Sequence, residues 1–105
     1  MATYLLGYHG GSMTATEEER QRSMAEWTAW FERIGPAIVD GGNPVGNSRM
    51  VASGGAVTAG GGSNPLTGYS VISAENLDAA VEIARGCPII ADGGSVEVCD
   101  LFAVM

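Results

Sequence analysis

"TGYSVISAENLDAAVEIARGCPIIADGGSVEVCDLF" spans residues 67–102, and its reading decides the fold. Residues 67–74 are rich in β-branched and aromatic side chains, the composition of a strand. "ENLDAAVEIARG" follows, opened by Ser73 or Ala74, with Leu77, Ala80, Val81 and Ala84 marking a buried helical face. Gly86 and Pro88 stop that helix. A last strand is expected over 95–104. The second half is therefore strand, helix, strand.

The first half repeats the order. "TYLLGYH" (3–9) is short, aromatic and β-prone, and breaks at Gly10-Gly11. A helix is expected over 16–34. Thr14 and Thr16 each stand three residues before a glutamate, Glu17 and Glu19, which is the spacing of a capping box. Acids crowd the first turn and Arg33 sits in the last, as the helix dipole prefers. Met24, Trp27, Phe31 and Ile34 form one apolar stripe, and Gly35-Pro36 ends it. "AIVD" (37–40) and "SRMVAS" (48–53) are β-prone pieces that can be one interrupted strand crossing a bend. Gly54-Gly55 signals a hairpin into "AVTA", and "GGGSNP" (60–65) is a loop.

The order β-α-β-β-α-β predicts a single α+β domain over 1–105, ferredoxin-like, with an antiparallel sheet and both helices on one face. Neither face of the outer strands reads as polar. Val96, Val98, Phe102 and Val104 alternate with Cys99, Leu101 and Ala103, and Tyr4, Leu6 and Tyr8 with Leu5, Gly7 and His9. A sheet with one wet face should carry more charge there. The expectation is a homodimer through the sheet face, closing two sheets into a dimeric α+β barrel.

Composition narrows the partners. Twelve acids face five arginines, with no lysine, for a net charge of −7. Nucleic acid and anionic membrane are poor partners for such a chain, and Schiff-base and P-loop chemistry lack their amine. Only 16% of residues are charged, so a partner covering part of the surface is expected. Cys87 and Cys99 lie in apolar settings and read as reduced thiols of a cytoplasmic protein. With one histidine and no short ligand spacing, neither metal nor cofactor is expected. "TYLLGY" has no basic flank and is too short to cross a membrane, so no targeting segment is expected.

"YLLGYHGG" (4–11), "IVDGGNPVG" (38–46), "GGGSNPLTGYSVISAENLDAAVEIARGCPI" (60–89) and "GGSVEV" (93–98) together resemble the YCII-related proteins, in their DGPF-containing part. The resemblance runs over nearly the whole chain. It implies a dimeric α+β barrel with a cleft between the sheet and the first helix, and some relatives are regarded as small enzymes using a His–Asp pair. The chain departs from the pattern in two places. "MAEWTAWFE" (24–32) lacks the histidine proposed on that helix, and "GGSNPLTG" (61–68) stands in place of the DGPF tetrapeptide.

His9, the single histidine, is the sharpest candidate for chemistry, since imidazole both gives and takes protons near neutral pH. Asp40 can orient it, or simply close an Asx turn. Asn43 and Asn64 both precede proline, and both amides can meet a polar small molecule at one rim. Trp27 belongs to the helix stripe. Trp30 lies off it, and is expected to be partly exposed and to line a pocket or a dimer contact. Tyr69 offers a hydroxyl, and Arg49, the sole base in the middle of the chain, can bind a carboxylate or pair with a surface acid.

Two functions follow from these residues. One is a cofactor-independent enzyme of isomerase, lyase or hydrolase type acting on a small polar or aromatic compound. There His9 is the general acid/base, Asp40 its orienter, and Trp30, Asn43, Asn64, Tyr69 and Arg49 the substrate contacts. The other is a non-catalytic module that binds a small molecule or a partner protein.

Overall fold

The computed structural model describes residues 1–11 and 16–103. Thr14, the outer of the two expected caps, and Val104 lie outside them. The elements run β1 (Ala2–His9), α1 (Glu17–Ile34), a 3-10 turn (Gly35–Ala37), β2 (Ile38–Asp40), β3 (Arg49–Val51), β4 (Val57–Ala59), β5 (Leu66–Ala74), α2 (Leu77–Arg85), α3 (Pro88–Ala91) and β6 (Ser95–Leu101). Four strands form one sheet in the order β2-β5-β1-β6, with every neighbouring pair antiparallel. The protein is thus an α+β fold built on an antiparallel sheet.

Strand alternation sorts the side chains. Tyr4, Leu6 and Tyr8 of β1 and Ile72 and Ala74 of β5 are buried, and they share one cluster with Trp30 of α1, Ala80 and Ala84 of α2 and Ile89 of α3. All three helices therefore cover the same face of the sheet. Ala80 and Ala84 bring α2 down onto that face without side-chain bulk, while α1 fills its side with aromatic rings. Fully burying Trp30, which is 1% exposed, contributes on the order of 3 kcal/mol or more.

Local signals fix the helix ends. Thr16 Oγ1 accepts from the Glu19 amide at 3.1 Å and donates to the Glu19 carboxylate at 3.3 Å. At the other end, Gly35 takes φ 37°, and its N–H donates to the Phe31 carbonyl.

Several expectations are corrected. The apolar stripe of α1 runs through Trp27, Trp30, Phe31 and Ile34, while Met24 is 70% exposed. The cap of α2 is Asn76, whose Oδ1 accepts from the Ala79 amide at 2.8 Å. Ser73 and Ala74 cannot serve, because they are still paired in β5 with Thr3 and Ala2. Pro88 starts α3, where its missing N–H costs nothing. β6 ends at Leu101 and leaves Phe102 77% exposed. The pieces at 37–40 and 48–53 are separate strands, not one interrupted strand. β2 joins the main sheet beside β5, whereas β3 pairs only with β4 as a hairpin closed by Gly55, φ 92°.

Candidate functional site

A cleft of about 410 Å³ opens between α1 and the helix-covered face of the sheet. That volume lies within the range of small-molecule sites. Tyr8, Trp27 and Phe31 wall it, and Gly41, Gly42 and Gly68 floor it. Two of the three floor positions constrain the residue they hold. Gly42 has φ 75°, and a Cβ there would collide with the Tyr69 carbonyl. At Gly68 a Cβ would sit 3.3 Å from both Tyr8 Cδ2 and the Asn43 carbonyl oxygen. The walls are held by ring contacts. Tyr8 and Trp27 meet edge to face with centroids 5.1 Å apart, and Trp27 rests on Trp30 at 5.8 Å and 85°.

The polar groups in the cleft are few and mostly committed. Tyr8 Oη donates to Ser70 Oγ at 2.8 Å, and Ser70 Oγ donates to the Gly41 carbonyl at 2.7 Å. Burial pushes the Tyr8 phenol up to about 12, against a smaller opposing effect of the Ser70 bond. Burial likewise pushes the Cys87 thiol up to about 11. Near neutral pH both keep their protons, so neither is a base or a nucleophile there.

His9 belongs to the other face. It shares that face with Leu5 and Gly7, and is 9% exposed. Its Nδ1 lies 2.9 Å from the Asn64 carbonyl oxygen and 3.2 Å from that of Pro65, and its Nε2 lies 3.2 Å from Glu97 Oε1. Oxygens thus face both ring nitrogens. The carboxylate beside His9 is therefore Glu97, not Asp40. Asp40 Oδ1 accepts from the Gly42 amide at 2.8 Å, which shapes the Gly41–Gly42 turn and hence the cleft floor.

The remaining candidates separate. Asn43 lines the cleft, and its carbonyl accepts from the Tyr69 amide at 3.2 Å. Asn64 lies at His9 instead, contributing its main-chain carbonyl, so the two amides do not share a rim. Tyr69 borders the cleft, but strand alternation with the inward Gly68 and Ser70 sends its ring to the opposite face. Trp30 is sealed beneath Trp27, which takes the exposed role expected of Trp30. Arg49 projects from β3 and donates to the Ser48 carbonyl at 2.8 Å.

Sequence reasoning missed Tyr8, Trp27, Phe31, Ser70 and Glu97. The alternation along β1 held a signal for the first of these, since it sets Tyr8 with Tyr4 and Leu6 opposite His9. Nothing local pointed to Glu97, which reaches His9 only because β6 pairs with β1 through Gly7↔Glu97 and His9↔Ser95.

Among the described residues no group of His, Cys, Asp and Glu can hold a metal ion, and no helix is long and apolar enough to cross a membrane. No protein-family model matches the chain, and a search of curated proteins finds no match.

Proposed function

We propose that this chain is a small-molecule-binding module, with ferredoxin-like topology and a homodimeric α+β barrel assembly of the kind its YCII-related, DGPF-like sequence features imply. The strand order β2-β5-β1-β6, with helices following β1 and β5, supports that topology. The half-buried Leu5, Val71 and Cys99 on the face away from the helices support the pairing. Two free cysteines suit a cytoplasmic location.

The observation that carries the binding reading is the cleft itself. Trp27, Phe31 and Tyr8 stand over a glycine floor, and the Tyr8 and Ser70 hydroxyls are already bonded to each other and to the Gly41 carbonyl. Such a site selects a flat, neutral, largely apolar molecule that fits between an indole and a backbone surface. The net charge of −7 disfavours an anionic ligand.

The probe is 2-naphthol, a neutral bicyclic phenol. On titration it should shift the indole N–H resonance of Trp27 and the amides of Gly42 and Gly68 in NMR spectra, and Trp27→Ala should abolish those shifts. No shift at these positions up to about 1 mM, a bound of ordinary weak affinity, overturns the reading.

The catalytic reading keeps one observation, the His9–Glu97 pair at 3.2 Å. It is the weaker of the two, because both His9 nitrogens are engaged and neither residue lines the cleft.

A further inference from the structure

Residues 43–59 are exposed without exception, and they include all of β3 and β4. Each of these strands has three residues, and they pair only with each other. An isolated two-stranded hairpin is at best marginally stable in water. This one also carries apolar side chains into solvent: Met50 is 46% exposed, Val51 64% and Val57 59%. The register explains how they are arranged. Val51 pairs with Val57 and Arg49 with Ala59, so these four share one face of the hairpin, and Met50 with Thr58 takes the other. One face of the arm is thus apolar with a cation at its root.

The charge distribution is equally uneven. No acid occurs between residues 41 and 74, and Arg49 is the single base there, so all twelve acids lie elsewhere. The arm leaves the sheet at the end marked by His9 and Leu66, where His9 holds the carbonyls of Asn64 and Pro65 at its root. The chain measures 44 × 43 × 18 Å with a radius of gyration of 15.1 Å, against about 13 Å for a compact chain of this length.

The complementary surface lies on the same chain. The sheet face away from the helices carries half-buried Leu5, Val71 and Cys99, with Leu66 52% and Leu101 42% exposed. Its acid is Glu97, whose side chain is 65% exposed beyond its contact with His9. An apolar arm with a cation at the root of its hairpin and an apolar face bearing a carboxylate satisfy each other twice over when two copies meet about a two-fold axis.

We infer that the β3–β4 arm of one molecule reaches across the two-fold axis to the rim of the sheet face of a second copy, with Val51 and Val57 against the exposed Leu66 and Arg49 against Glu97 beside it, outside the Leu5, Val71 and Cys99 surface on which the two sheets pack. The inference rests on the homodimer reading above and adds the element that clamps it. The arm is an exchanged structural element, ordered by assembly.

Sedimentation equilibrium of the full chain tests it, with circular dichroism to check folding. Wild type should be dimeric. Val51→Asp with Val57→Asp should raise the dimer dissociation constant by about 100-fold, as loss of an apolar anchor does, with unchanged helix signal. Arg49→Glu should raise it about tenfold, the scale of a close charge pair. A double variant that stays folded and dimeric with wild-type affinity overturns the arm contact while leaving the dimer standing. A wild type that is monomeric at about 100 µM, well above the range of specific dimers, overturns both. If the double variant fails to fold, Arg49→Glu decides, and an unchanged dissociation constant overturns the inference.

Discussion

Gly42 shows how much a single residue decides here. Its positive φ and the adjacent Tyr69 carbonyl leave no room for a side chain, and its amide is fixed by Asp40. Gly42→Ala should therefore destabilise the protein by about 2 kcal/mol or more, from left-handed backbone strain and the displaced strand together. Gly41→Ala is the control, because a Cβ there meets open space. Urea unfolding of the two variants checks this, and equal midpoints would contradict it. Of the two roles open to Asp40, the structure shows the Asx turn into Gly42, while the carboxylate beside His9 is Glu97. The residue does govern the candidate site, as the brace of its floor.

At the scale of elements, caps and crossovers decide where helices begin. Asn76 supplies the bond to the Ala79 amide that starts α2, so Asn76→Ala should cost about 1 kcal/mol, read as a lowered melting temperature. Asn76→Asp should retain most of it, and a neutral Asn76→Ala would contradict the cap. Much of this level was legible in the sequence. The long strands β1 and β5 and the helix α1 follow from periodicity and from Thr16, Glu19 and Gly35, all local signals. What was not legible depends on pairing at a distance. The separation of β2 from β3 is set by which neighbour each strand finds, β5 or β4. The exchange of roles between Trp27 and Trp30 is set by how α1 rotates onto the sheet, which its own spacing leaves open by about a third of a turn. Glu97 reached His9 by the same kind of long-range register.

Across the whole molecule, the core couples folding to alkaline pH. In the folded chain Tyr8 holds its proton to about 12 instead of 10.0, and Cys87 to about 11 instead of 9.0. Between those limits the folded state binds more protons than the unfolded chain, so stability falls as pH rises. The contribution is complete below the unfolded values and is lost through the window from 9.0 to about 12. Urea midpoints should drop across it, Cys87→Ala should flatten the lower part, and Tyr8→Phe the upper. A pH-independent midpoint in the wild type would contradict this. The central position of β1 carries a different consequence. Both strands flanking it, β5 and β6, come after residue 65, and its pairings join Ala2 to Ala74 and Thr3 to Leu101. No local hairpin can nucleate around it. Loop-closure entropy must be overcome first, so the chain should fold slowly for its size, with β1 left unpaired on the ribosome until most of the sequence has emerged.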